Sequence, residues 1–170
     1  MITGFVGPRG NGKTLLMVVR LLRRYRNGYK LFTNFGIRVK HEKLDAKRLA
    51  AMGTDLRNCA IGVDEIHVLL DSRNSMKERN RILTYFILQT RKRNVVLFYT
   101  TQDEGQVDIR LRRNTDYWVY CRRLGKTPYF SYKIYDGLTG DFLGQFILDG
   151  RKYYGEYDTE ETITDFEGNL

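Results

Sequence analysis

The sequence has few of the residues that staple a chain together. It holds two cysteines, Cys59 and Cys121, and two histidines, His41 and His67. That is too few for a disulfide scaffold or a four-cysteine zinc site. Two prolines exclude a proline-rich linker, and 16 glycines without a repeat exclude a collagen-like chain. Long apolar runs are missing too. The longest candidates, 15–22 and 82–88, are flanked by arginines and fall short of the ~18 residues a spanning helix needs. The start MITGFVGPRG has neither a basic n-region nor a long apolar core, so it does not read as a signal peptide. The expectation is a soluble, intracellular protein with reduced cysteines.

What is present is a chain of 170 residues, 42% hydrophobic and 13% aromatic. That is too apolar for a disordered chain and an ordinary size for one domain. The net charge is +9, unevenly placed. Residues 1–58 carry 13 basic and 3 acidic side chains, 59–123 carry 12 and 8, and 124–170 carry 4 and 9. The first two thirds are thus +14 and the last part −5. Such a field permits a polyanionic partner without specifying one.

Along the chain, short apolar runs alternate with helical patterns. Strands are predicted at 2–6, 29–34, 59–63, 95–101 and 117–121, with 37–41 a further extended candidate. Helices are predicted at 13–26, 45–52 and 76–92, the last burying Ile82, Tyr85, Phe86 and Leu88, with a polar loop at 71–75 before it. Strands joined by helical crossovers imply a mainly parallel sheet. Beyond Arg123, residues 130–135 and 141–148 alternate around Asp136-Gly137-Leu138-Thr139-Gly140 and read as a β-hairpin. Residues 153–157 read as a further extended piece, and 159–170 as a loosely held acidic tail. The division predicted is a core at 1–123 with a hairpin appendage and tail at 124–170, packed as a single domain.

Gly7-Pro8-Arg9-Gly10-Asn11-Gly12-Lys13-Thr14 fits the phosphate-binding pattern G-x-x-x-x-G-K-[ST], and it lies between a strand and a helix as that pattern requires. Glycines let the backbone aim its N–H groups at phosphate oxygens, and the helix N-terminus adds its dipole. Lys13 would reach the β- and γ-phosphates, and Thr14 would place its hydroxyl on Mg²⁺. Asp64-Glu65 ends the apolar run 59–63 in the manner of a Walker B strand. Asp64 would hold Mg²⁺ opposite Thr14, and Glu65 would polarise the attacking water. Gln102, after the fourth strand, would contact the γ-phosphate or its water.

Phosphoryl transfer also gains from an arginine, often supplied by a neighbour. Arg91, Arg93, Arg110, Arg112 and Arg113 are the candidates, against helix-end compensation for the first two and a solvated loop for the others. Arg20, Arg23, Arg24 and Arg26, extended by Lys40, Lys43, Lys47 and Arg48, are weak candidates for a sequence-independent DNA path. A solvated basic face explains them equally well. His67 and Cys121 read as packing residues, and the tyrosines at 129–157 as hairpin packing rather than base stacking.

GPRGNGKT at 7–14, IGVDEIHVLLDSR at 61–73, LQTRKRNVVLFYTTQ at 88–102 and VDIRLRRNTDY at 107–117 together resemble P-loop ATPases of the ASCE class. Within it they resemble the FtsK–HerA superfamily, most of all viral genome-packaging ATPases and the related Zot-like phage assembly proteins. The resemblance covers about residues 1–123. It implies an α/β sheet of order 5-1-4-3-2 flanked by helices, with ATP and Mg²⁺ as substrate and cofactor. It implies a ring of five or six subunits pulling duplex DNA, without sequence preference, into a viral capsid or portal, in the host cytoplasm and transiently at the procapsid. The alternatives are a Zot-like assembly or export ATPase acting at a membrane with a partner, or a non-motor P-loop NTPase. Zot-like proteins usually carry a membrane segment, which this sequence does not show.

Overall fold

The structure is a computed structural model that describes residues 1–44, 56–67, 84, 87 and 93–157. Among them β1 (Ile2–Val6), β2 (Lys30–Thr33), β4 (Cys59–Val63), β5 (Val95–Thr101) and β6 (Tyr117–Arg123) form the predicted parallel strands. β1, β4 and β5 are buried along their whole length. Burial on both faces is why they read as continuous apolar runs rather than alternating ones.

The sheet runs β3-β2-β4-β5-β1-β6-β7-β8. Its five central strands reproduce the expected order 5-1-4-3-2. To one edge the structure adds β3 (Glu42–Lys43), two exposed residues with no hydrophobic signature. To the other edge it adds β7 (Tyr129–Asp136) and β8 (Phe142–Asp149), both antiparallel. The predicted hairpin therefore continues the central sheet through β6 instead of hanging from it.

Two apolar layers cover the sheet. On one side α1 (Lys13–Arg26) packs Leu15, Met17, Val18 and Leu21 against Phe5, Ala60 and Phe98. On the other side Leu44, Leu56, Ile66, Ile87 and Leu111 cover Ile61, Leu97 and Trp118. Alternation along β5 divides its residues between the layers: Val95, Leu97 and Tyr99 face one, Val96 and Phe98 the other.

Two readings need correction. Arg110–Arg113 do not lie in a loop: Ile109–Arg113 form a short helix, α2, started by the Asp108 carboxylate accepting the Arg110 N–H at 2.8 Å and anchored by buried Leu111. Residues 153–157 are not a strand. Asp149 caps a 3-10 turn at Gly150–Lys152, and turns follow, because local capping outweighs the β propensity of the tyrosines. Only Tyr157 pairs, in an isolated antiparallel bridge to Ile37, which is also the only bridged residue of 37–41. The predicted helix 45–52, the loop 71–75, most of the helix 76–92 (Thr84 and Ile87 are helical) and the tail 159–170 lie outside the described residues.

Candidate active site

The 7–14 loop joins the carboxyl end of β1 to the N-terminus of α1. Its glycines take conformations that other residues avoid: Gly10 has φ 74° and Gly12, the N-cap of α1, has φ 78°. No acidic side chain occupies the first turn of α1, so nothing competes for its positive end. Lys13 is buried, and its Nζ donates to the Pro8 carbonyl at 3.2 Å, folding the lysine back along the loop. Asn11 steadies the same loop, its amide donating to the Pro8 and Arg9 carbonyls at 3.3 and 3.4 Å.

Asp64 follows β4 at the same edge of the sheet. The Thr14 hydroxyl donates to its carboxylate, 3.0 Å from Oδ1 and 3.2 Å from Oδ2. Thr100 of β5 donates to Oδ1 at 2.5 Å, and its hydroxyl oxygen accepts the Glu65 N–H at 2.8 Å. Asn34, just beyond β2, binds the Asp64 backbone twice, accepting from its N–H at 2.8 Å and donating to its carbonyl at 2.9 Å. Residues of α1 and β5 thus hold the Asp64 carboxylate, and Asn34 beyond β2 holds its backbone. Burial raises the Asp64 pKa, opposed by the hydrogen bonds from Thr100 and Thr14.

Glu65 takes φ 50°, left-handed for a residue with a side chain. Its Oε2 lies 3.5 Å from His67 Nδ1, and neither atom makes a hydrogen bond among the described residues. His67, read as a packing residue, therefore faces the second carboxylate of the site. Gln102 follows β5 beside the loop: Val6 and Thr101 are register partners, and the Gly7 N–H donates to the Thr101 carbonyl at 3.3 Å.

The strand–loop–helix with its lysine and threonine against a strand-end Asp-Glu pair is matched by a known family model. The model of the ATPase family associated with various cellular activities (AAA) matches residues 3–121. The chain belongs to the AAA family. Its fold is that of a P-loop ATPase domain.

Two curated relatives are phage proteins. This AAA chain is 25% identical to the Gene 1 protein of Escherichia phage If1 over 94% of its length, and 29% identical to that of Enterobacteria phage I2-2 over 71%. It spans 58% and 40% of those relatives. Among solved structures it resembles the N-terminal domain of zonular occludens toxin from Neisseria meningitidis, with a TM-score of 0.69, 20% identity, and coverage of 92% of this chain and 98% of that one. It also resembles the genome packaging NTPase B204 of Sulfolobus turreted icosahedral virus 2, at 0.55 and 10% identity, covering 86% and 95%.

The other predicted residues are more dispersed. Arg110 sits on α2, which leads to the start of β6, opposite Thr3 of β1 and so toward the end of the sheet away from the phosphate loop. Arg93 precedes β5 at that same far end, where its carbonyl accepts the Asn58 N–H. Arg91 and Lys47 lie outside the described residues. Arg20 lies over the Phe146 ring at 5.9 Å and Arg24 over Tyr29 at 5.3 Å, while Arg23 and Lys43 are exposed. Sequence reasoning missed Asn34 and Thr100. Thr100 had a visible signal, since a polar residue in a buried strand needs a partner.

The raised Asp64 pKa carries a prediction. A carboxyl held protonated more readily in the folded chain makes stability fall as pH rises above the ordinary aspartate range. Asp64→Asn should therefore unfold at a higher temperature than the wild type at pH 8. The gap should shrink as pH drops toward 4, where wild-type Asp64 itself takes up a proton. Thermal unfolding of both proteins across that range measures it; an equal or lower midpoint for the variant at pH 8 refutes it.

Proposed function

We propose that this chain hydrolyses Mg-ATP between the 7–14 loop and the Asp64–Glu65 turn. The Thr14–Asp64–Thr100 hydrogen-bond chain carries the proposal, because it sets a hydroxyl and a half-buried carboxylate together at the positive end of α1. These hard oxygen donors suit Mg²⁺, which Thr14 and Asp64 would hold, and the ion supplies charge neutralisation of the phosphates when bound. Gly7, Pro8, Arg9, Gly10, Asn11 and Gly12 form the cradle. Lys13 exchanges the Pro8 carbonyl for phosphate oxygens, a charge-assisted and stronger partner. Glu65, backbone-anchored by Thr100, accepts the proton of the attacking water. Gln102 hydrogen-bonds the γ-phosphate or that water. The transition-state arginine, Arg91, Arg93 or Arg110, comes from a neighbouring copy in a ring of five or six, which suits the distance of α2 and Arg93 from their own loop.

FtsK–HerA membership, supported by the 5-1-4-3-2 order and the Asp-Glu pair, makes the work a movement of polymer. Translocation of DNA into a capsid is the first reading, supported by the likeness to B204 and by +14 over residues 1–123. Arg20, Arg23, Arg24, Lys43 and Lys47 would serve that path. The second reading, a phage assembly or export ATPase working with a membrane-bound partner, is the one we favour. The closer likeness to the zonular occludens toxin domain, over nearly all of both chains, supports it. Among the described residues no helix is long and apolar enough to cross a membrane, so the anchor would belong to the partner or to other sequence.

Turnover with and without duplex DNA at low salt separates the readings, on a sample whose oligomeric state is measured. The expected result is a change of less than about twofold. Stimulation of tenfold or more that fades with rising salt would return the packaging motor.

A further inference from the structure

The family match ends at residue 121, yet the strands beyond it touch the phosphate loop. We propose that the C-terminal hairpin is a working part of the nucleotide site, with Tyr132 of β7 a positioning residue that aims the loop's backbone at phosphate. This rests on the ATP-binding reading above.

The Gly12 carbonyl accepts two hydrogen bonds. One, from the Leu16 N–H at 3.1 Å, begins α1; the other comes from the Tyr132 hydroxyl at 3.0 Å, 120 residues away. A trans peptide is planar, with its N–H opposed to its C=O. Fixing the Gly12 carbonyl from the hairpin side therefore fixes the direction of the Lys13 N–H, one of the groups that must point at a phosphate oxygen. Tyr132 is wholly buried, its ring 5.2 Å from that of Phe146 on β8, so the hydroxyl is held where it is needed.

The loop is fastened at one further point and closely approached at another. The Arg123 N–H at the end of β6 donates to Asn11 Oδ1 at 2.8 Å, orienting the side chain that braces Pro8 and Arg9. Gly7 lies against the Cys121 carbonyl, where a Cβ would come within 2.6 Å.

The segment after β8 reaches the other half of the site. The Arg38 N–H donates to the Glu156 carbonyl at 2.9 Å beside the Tyr157–Ile37 bridge. Three residues before Ile37, Asn34 holds Asp64. The region 123–157 thus grips the phosphate loop at one end and, at the other, the segment that follows Asn34. Covering the apolar face of α1 would require Phe146 and the Tyr132 ring, but neither the Tyr132 hydroxyl nor the Arg123–Asn11 bond.

Tyr132→Phe in the full chain keeps the ring and removes the hydroxyl. Titration with a fluorescent N-methylanthraniloyl ATP should show about a fivefold weaker Kd, the ratio one hydrogen bond is typically worth. KM should rise alike, with kcat within about twofold. Tyr135→Phe, on the opposite face of β7, should bind as the wild type does. In the wild type the same nucleotide should slow hydrogen exchange in the β7–β8 amides, since coupling is reciprocal. A Tyr132→Phe chain that binds the analogue as tightly as the wild type overturns the proposal while leaving the ATPase reading intact. A wild-type chain that binds no nucleotide overturns both. Should Tyr132→Phe not fold, Phe146→Leu, which frees the ring from its stacking partner, must weaken nucleotide binding at least twofold; unchanged affinity overturns the proposal equally.

Discussion

Replacing Glu65 by glutamine is expected to leave ATP binding within about twofold of wild type and to cut turnover by roughly 10²–10⁴-fold, the range a positioned general base supplies. The geometry explains the split. Phosphate affinity resides in the 7–14 loop and Lys13, and Asp64 stands between that loop and Glu65 through its bonds to Thr14 and Thr100. Glu65 contributes a proton acceptor, which the glutamine amide is not. Glu65 also sits at φ 50°, a conformation costing about 1 kcal/mol or more, paid at a position where Thr100 receives its N–H. Glutamine keeps that backbone and its size, so the fold should be unaffected. Stopped-assay phosphate release beside an ATP-binding titration checks both halves. Normal turnover in Glu65→Gln would remove it from the mechanism.

A methyl group at Gly12 should damage both the fold and the nucleotide site. Alanine there adopts the left-handed conformation at about 1–2 kcal/mol. Its Cβ would also sit 2.5 Å from Phe130 Cδ1 and 2.7 Å from the Tyr132 oxygen, both on β7. Relieving such overlap in a packed site typically costs about 1–3 kcal/mol more. The sum, about 2–5 kcal/mol, lowers the midpoint of a chain this size by roughly 5–15 °C. Because the loop or the hairpin must move, ATP affinity should fall at least tenfold as well. Gly10→Ala offers the contrast. Its φ is also left-handed, but nothing lies within 4 Å of its Cβ, so only the backbone cost remains. Thermal unfolding and nucleotide titration of the pair test this. Equal losses in the two variants would mean that the hairpin contact has no weight.

Most of the central sheet was legible because its signals are local. Cys59–Val63 and Val95–Thr101 are apolar runs bounded by turn residues, and a strand buried on both faces needs nothing else to be read. The phosphate loop was legible for the same reason, its glycines and Lys13-Thr14 being contiguous. α2 was missed although Asp108 and Leu111 mark its start and its buried side, because the four arginine and asparagine residues around them look like a solvated loop. Tyr153–Tyr157 misled in the other direction. Its aromatics suggest a strand, while the Asp149 cap decides for a turn.

The sequence by itself determined the parallel strands of the core and the residue types at the phosphate site, carried by short-range patterns, and the family resemblance of those motifs implied the strand order. The tertiary structure alone decided which groups hold those residues in place. Asn34 meets Asp64 across 30 positions, Thr100 across 36, and Tyr132 meets Gly12 across 120. No local pattern encodes such meetings. They arise because parallel strands bring their carboxyl ends to one edge, and because an antiparallel hairpin carries the chain's last strands back beneath its first loop.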